Sequence, residues 1–452
     1  MSDTKVNGST HEGESEAPQA PPPAELPPPS PEEIITPDVV DNIIKGYNTD
    51  CELVDFSAKL GTKVGDNYMS IMYAVEINLK NRKTGEADTL NVMVKTMPKN
   101  PMRQQMINES GAFIKESKIY EDVIPRMVAF QKEKGLKDDE LFLGWPQCFT
   151  TFNDGTSDYL GMEDMRVQGY KMANRLAGLD VEHVQLVLKN VARYHALSFA
   201  IFRGDYDLMM ETYPWLEEKM FPSEDKVQEP MKMWMKSMFS NEADVVRKEG
   251  LIKEADLMEK MIEGSIYGML HSMLGIKTKN PVINHGDCWT NNMLFLYDDD
   301  NKPRHLKFVD FQMARCSPRS IDLGYFLHSS LPIATLNEKE EYFLKLYHDE
   351  FIRFVIRLGV EPLEYGLTWE EFMDEYKNCK FFGVVMGFML APILSADAAD
   401  VPDMENLKEE DFGEDGAKDF MNQLMGKKSD STKKICNLAI HHLPRCPQMM
   451  NK

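Results

Sequence analysis

The segment HGDCWTNN, residues 285 to 292, sets Asp287 five positions before Asn292 and directly ahead of the apolar run Met293 to Tyr297. That interval matches the HRDLxxxN loop of protein kinases, in which the aspartate accepts a hydroxyl proton and the asparagine holds a metal. Glycine stands where the kinase loop carries arginine, the form found in phosphotransferases acting on small molecules. HGDxxxxN fixes four positions and arises by chance in such a chain on the order of once in a thousand. An isolated turn-capping aspartate is therefore the weaker reading.

Three further pieces fit the same chemistry. Asp310 ends the apolar strand of KFVDFQ, 23 residues after Asp287, in the place of the magnesium-binding kinase DFG aspartate, with Gln312 replacing the glycine. Lys95, in NVMVKTMP, lies among apolar residues, where a buried ammonium demands a paired carboxylate. Glu116 on the following helix is the natural partner, with Glu109 and Glu121 as rivals. In LGTKVGDNYMS, Gly61 and Gly65 permit a close-approaching backbone whose N–H groups can cover phosphates, although the pattern is not GxGxxG. Together they predict phosphoryl transfer from a nucleotide: a cation on the α/β-phosphates, magnesium on hard oxygen ligands and a carboxylate aimed at an acceptor hydroxyl.

An α+β fold must position these groups. Alternation predicts strands over 52–60, 69–80 and 89–97 with a Lys83-Thr84-Gly85 turn, then a helix over 105–124 ended by Pro125, then strands over 146–152 and 158–163. After Met165 the periodicity is helical over 181–202, 244–274, 338–358, 369–394 and 417–441, interrupted by a hairpin within 281–312. The expected organisation is a Pro-rich acidic disordered tail (1–36), a small antiparallel β lobe plus one helix that binds nucleotide (37–165), and a helical lobe carrying the catalytic loop and acceptor pocket (166–452). Between Ala17 and Pro31 eight of fifteen residues are proline, which predicts an extended tail, with an SH3-type partner as its functional reading.

The quoted motifs, with FIKESKIYEDVIP, YLGMEDMRVQGY and VDFQMARCSPRSIDLGYFL, resemble the ecdysteroid kinase-like family of insects, related to choline kinases and aminoglycoside phosphotransferases. The resemblance runs in order from Asp38 to Pro444. It implies a protein-kinase-like two-lobe fold that uses ATP and Mg2+ to phosphorylate a hydroxyl of a small molecule. By that resemblance Asp287 is the catalytic base, Asn292 and Asp310 are metal ligands, and Lys95 with Glu116 orients the nucleotide. Gly65, Asn67 and Ser70 belong to the phosphate-covering segment, and Glu163 and Met165 lie where the family's backbone meets adenine. His285 and Asp322 support the loop.

The formal net charge of −22 excludes nucleic-acid binding through a basic face. Much of it is peripheral, since residues 1–33 carry −6 and residues 397–415 carry −8. Seven scattered cysteines without CxxC pairs suit a reducing compartment. No secretory signal and no apolar run of about 18 uncharged residues is visible, so a cytoplasmic protein without a membrane partner is expected. The 32 methionines, with segments such as MKMWMKSMF and FFGVVMGFML, point to an adaptable apolar acceptor pocket, an ecdysteroid or a dietary or xenobiotic alcohol. A choline or ethanolamine acceptor needs an aromatic cage, which Trp234, Trp289 or Trp369 can supply. A third reading is a nucleotide-binding scaffold that recruits partners through its tail. His195 reads as a satisfied core histidine, and Cys288, beside Asp287, as a thiol that could meet reagents although nothing in the sequence marks a lowered pKa.

Overall fold

A computed structural model of the chain describes residues 29–62, 70–274, 277–395 and 429–449. The chain enters through two helices, α1 (Pro31–Ile34) and α2 (Pro37–Tyr47), the second capped by the Thr36 side chain. Helix is thus already present upstream of residue 37, where the folded part was expected to start. Ile35 is buried against the sheet, and the Tyr73 hydroxyl donates to the Pro29 carbonyl at 3.0 Å.

Five antiparallel strands follow: β1 (Cys51–Leu60), β2 (Ile71–Asn81), β3 (Ala87–Thr96), β4 (Cys148–Phe152) and β5 (Tyr159–Glu163), ordered β1-β2-β3-β5-β4. Their period of two sorts β3 between faces. Val92 and Val94 join Tyr73, Val75 and Ile77 in the core under α2. Lys95, one step out of phase, meets α3 (Pro101–Ser110), α4 (Ala112–Lys118) and α5 (Ile124–Glu133) on the other face through Glu116 of α4.

These three helices replace the single one expected over 105–124. Gly111, at φ 69°, separates α3 from α4. A π turn, Ile119–Val123, then joins α4 to α5, so Pro125 does not stop the run. The Ile124 amide bonds back to the Ile119 carbonyl, and Pro125 follows in the first turn of α5.

The remainder is mainly helical. A short strand β6 (Lys171–Met172) precedes α6 (Val181–Phe202) and α7 (Tyr206–Thr212). The helix expected over 244–274 is broken, giving α8 (Glu229–Lys248), α9 (Ile252–Glu263) and α10 (Ile266–Leu274). Gly250 at φ 82° and the cap at Gly264 make the breaks, while the apolar periodicity runs on across them. Strands β7 (Val282–Asn284), β8 (Met293–Tyr297), β9 (Pro303–Phe308) and β10 (Arg315–Ser317) form two small antiparallel sheets, β10-β7 and β6-β8-β9. Helices α11 (Ser320–Ser330), α12 (Ile333–Arg357), α13 (Trp369–Ser395) and α14 (Ser429–His441) complete the fold. Residues 417–428 of the last expected helix lie outside the described residues.

α13 is long and apolar enough to cross a membrane over Trp369–Leu394, yet most of that stretch is buried inside the protein. It touches α11 where two glycines meet. A Cβ on Gly383 would sit 2.4 Å from the Gly324 carbonyl carbon and oxygen, so α13 cannot carry a side chain at the crossing, while a Cβ on Gly324 would lie 3.3 Å from the Gly383 Cα.

Candidate active site

Lys95 is the pivot of the site. Its Nζ lies 2.5 Å from Glu116 Oε2 and 2.6 Å from Asp310 Oδ1, joining β3, α4 and the segment after β9. The rivals are engaged elsewhere: Glu121 accepts from Lys118 and Thr151, and Glu109 from Gln105. Burial alone would lower the lysine pKa, but the two carboxylates outweigh it and hold the ammonium above its ordinary range. Glu116 is fully buried and its Oε1 has no hydrogen-bond partner among the described residues. Gly61, Met72 and Lys95 form one row across three strands, with the Gly61 amide on the Met72 carbonyl at 2.7 Å. The Gly61–Ser70 connection therefore springs from the row that carries Lys95. Ser70 is buried at the foot of β2, while Gly65 and Asn67 lie outside the described residues.

The Asp287 loop is held by its own amides. Asp322 of α11 accepts from His285 N at 2.7 Å through Oδ2 and from Gly286 N at 2.9 Å through Oδ1. His195 Nε2 reaches the same carboxylate at 3.0 Å and its Nδ1 meets the Tyr347 hydroxyl at 2.8 Å, so it is a satisfied core residue acting through Asp322. Burial would raise the Asp322 pKa, but the hydrogen bond and charge of His195 prevail and lower it. Gly286 is obligatory. It sits at φ 86°, and a Cβ there would stand 1.8 Å from the Met313 carbonyl oxygen. His285 receives the Asp287 amide on Nδ1 at 3.3 Å and has Nε2 3.0 Å from the Val309 carbonyl, the neutral Nε2–H tautomer. Burial, which lowers its pKa, favours that neutral form.

This network sets Asp287 beside its asparagine. Asn292 Nδ2 donates to Asp287 Oδ2 at 2.8 Å and to the Asp287 carbonyl at 3.0 Å. Two acceptors fix the amide orientation and leave Oδ1 outward. The Tyr325 hydroxyl donates to Asp287 Oδ1 at 2.6 Å. Burial, reinforced by the Asp310 charge, pushes the Asp287 carboxyl up to about 6. Asp310 stands at φ 68°, left-handed for a residue with a side chain, a strain of about 1–2 kcal/mol offset by its ion pair with Lys95. Asn292 Oδ1, Asp310 Oδ2 and Asp287 are hard oxygen donors of the kind a magnesium ion takes.

The model of the ecdysteroid kinase-like family matches residues 64–360, more than half of the chain. The chain belongs to the ecdysteroid kinase-like family. Membership makes it a kinase-like phosphotransferase with an α+β fold. No curated protein aligns with the chain at a significant level.

In this ecdysteroid kinase-like chain the other residues singled out in the sequence take definite places. Cys288 is fully buried and its thiol pKa is pushed well up by burial, so it is not open to reagents despite adjoining Asp287. The Met165 carbonyl accepts from the Gly169 and Tyr170 amides and is committed to its own turn. Glu163 ends β5 opposite Val92. Arg166, which the sequence reading passed over, grips Asp164 at 2.6 Å and donates to the Gly61 carbonyl at 2.8 Å, tying the segment after β5 to the stem of the glycine-bearing connection. Tyr325 was also missed. Its signal was the single helical turn that separates it from Asp322 in SIDLGYF, which sets both on one face of α11. A cavity of about 380 Å³ beside β10, lined by residues including Tyr206, Glu217, Lys219 and His271, contains none of these site residues.

Proposed function

We propose that the protein transfers the γ-phosphoryl group of ATP to a hydroxyl of a small, largely apolar alcohol, an ecdysteroid or a dietary or xenobiotic one. The observation that carries this reading is the convergence of Lys95, Asp310 and the Asp287–Asn292 pair from three separate stretches of chain. In it Lys95, fixed by Glu116, would meet the α/β-phosphates. Asn292 Oδ1 and Asp310 would hold Mg2+, which would supply positive charge against that developing on the phosphoryl oxygens. Asp287 takes the proton from the acceptor hydroxyl as its oxygen bonds to phosphorus, and ADP leaves. Residues 37–165 form the nucleotide-binding part and residues 166–452 the acceptor part, in a two-lobe arrangement.

The acceptor reading rests on what surrounds Asp287. Trp289 and Tyr325 belong to an apolar cluster with Phe221, Met235, Met238, Phe382 and Met386, which joins the two methionine-rich segments. Those side chains are already buried against one another, so a steroid-like ligand would have to open the cluster to gain about 25 cal/mol per Å² of its own apolar surface. Trp289 Nε1, buried without a partner among the described residues, offers one donor for an acceptor oxygen. One observation favours a choline- or ethanolamine-type acceptor instead. Glu242 of α8 is fully buried without a hydrogen-bond partner among the described residues, its pKa driven well up by burial, and a cationic acceptor would pair with it. Trp369 packs on His348 and Phe372, away from the Trp289 cluster.

The test is to incubate the protein with Mg-ATP and a metabolite extract and to look by mass spectrometry for phosphate added to one compound, followed by a panel of steroid alcohols, xenobiotic alcohols and choline. Asp287→Asn should reduce turnover by about 10²–10⁴. Wild-type turnover in that variant would remove Asp287 from its role. Mg-ATP binding without turnover on any acceptor would favour the scaffold reading.

A further inference from the structure

Away from the Asp287 loop, three side chains from three parts of the chain converge in the interior. His328 lies near the end of α11, Glu340 on α12, and His442 directly after α14. Their ligand atoms all lie within 4.8 Å of one another, and both imidazoles are buried. The two rings meet edge to face, with His328 Nε2 3.3 Å from His442 Nδ1.

Hydrogen bonding on the far side of each ring gives that contact its meaning. His328 Nδ1 is 2.8 Å from the Gly324 carbonyl, which can only accept, so the ring carries its proton on Nδ1. Its Nε2 is therefore a lone pair. His442 Nε2 is 2.8 Å from Asn337 Oδ1, which places its proton on Nε2 and a lone pair on Nδ1. Two lone pairs thus face each other at 3.3 Å and need an electrophile between them. A shared proton would create a buried imidazolium. Burial, with the neighbouring Lys380 charge, opposes that and lowers His328 to about 3. Burial and the facing His328 lower His442 to about 2.

We propose that His328, Glu340 and His442 form a structural transition-metal site, zinc by its donor set, separate from the phosphoryl-transfer centre. Zinc bonds imidazole nitrogen at about 2.0–2.1 Å, and two such bonds at the tetrahedral angle put the nitrogens about 3.3 Å apart. Each ring already donates its other N–H to an oxygen, the arrangement that orients metal-bound histidines. Glu340 supplies the anionic ligand through Oε2, since Oε1 accepts from Tyr376 at 2.8 Å and Lys380 at 2.6 Å. Lys380 opposes a dication but stays paired with Glu340. Lys434, also nearby, is lowered to about 7 by burial and can shed its charge as the ion binds. Both histidines enter neutral, so binding at pH 7 needs no proton release from them. The ion would clip the segment after α14 to α11 and α12, and α11 carries Tyr325 and Asp322 one and two turns before His328.

The full chain, stripped with a chelator and then supplied with Zn2+ under excess Mg2+, which occupies the carboxylate-rich Asp310 region, should retain one zinc per chain by elemental analysis and melt at higher temperature. Co2+ should give tetrahedral visible bands without thiolate charge transfer. Glu340→Gln, which keeps an acceptor for Tyr376 and Lys380, and His442→Asn should each weaken zinc binding by at least about 100-fold. A wild-type protein that retains no zinc and melts unchanged overturns the proposal. The rings then share a hydrogen bond, with Asn337 turned to donate. Zinc retained equally by both variants overturns it as well, because the ion then sits elsewhere.

Discussion

Replacing Tyr325 by Phe deletes one oxygen, and that oxygen is one of the two side-chain donors to Asp287: Tyr325 at 2.6 Å on Oδ1 and Asn292 at 2.8 Å on Oδ2. A hydrogen bond to a charged acceptor nets about 1.5–3 kcal/mol. A protonated carboxyl can still accept from a phenol, so only part of that energy distinguishes the two protonation states. Taking about 1.4 kcal/mol as the differential part, the variant's Asp287 pKa rises by about one unit. The sign follows directly. The donor stabilises the carboxylate, its loss favours the acid, and the base form then appears only at higher pH. The acid limb of the kcat/KM profile for the phosphorylated alcohol should therefore move up by about one unit. Bound magnesium lowers both limbs together and leaves their difference. Well below the limb the variant should be about tenfold slower than wild type, and two units above it nearly equal. An unmoved limb, or a loss uniform across pH, would refute the argument and leave Tyr325 a packing residue.

Two other substitutions test the scaffold around the loop. Lys95→Met strands Glu116 and Asp310 as neighbouring unpaired acids, one of them fully buried; denaturant melts should show a loss of about 3 kcal/mol, and calorimetry a large loss of Mg-ATP affinity. Gly383→Ala separates two opposing effects: helix propensity alone favours alanine by about 1 kcal/mol, whereas the clash with the Gly324 backbone costs about 3 kcal/mol. A net loss of about 2 kcal/mol in urea, with activity falling because α11 shifts, is expected; a stabilised variant would show that the two helices part easily.

Residues whose chemistry depends on near neighbours in sequence were legible. The interval from Asp287 to Asn292 is closed by a hydrogen bond between those two side chains, and the alternation that buried Val92 and Val94 turned Lys95 to the other face. Helix breaks were not legible, because the apolar face of 244–274 continues across Gly250 while the backbone does not. Pairings over long separations were legible only by analogy. Lys95 and Asp310 are 215 positions apart, and nothing local in either marks the other.

Helix α11 shows both kinds of information in eleven residues. Asp322 and Tyr325 lie one turn apart, and both serve the same loop, the first through the His285 and Gly286 amides and the second through the Asp287 carboxylate. That periodicity was readable in SIDLGYF. His328 lies a further turn along, and its role depends on a ring 114 positions away and on which nitrogen the Gly324 carbonyl claims. Gly324 is thus used twice: its backbone receives Gly383 of α13, and its carbonyl sets the tautomer of His328. A change there should disturb the helix crossing and the histidine pair together, and through α11 the support of Asp287. The sequence shows it only as one glycine among 27.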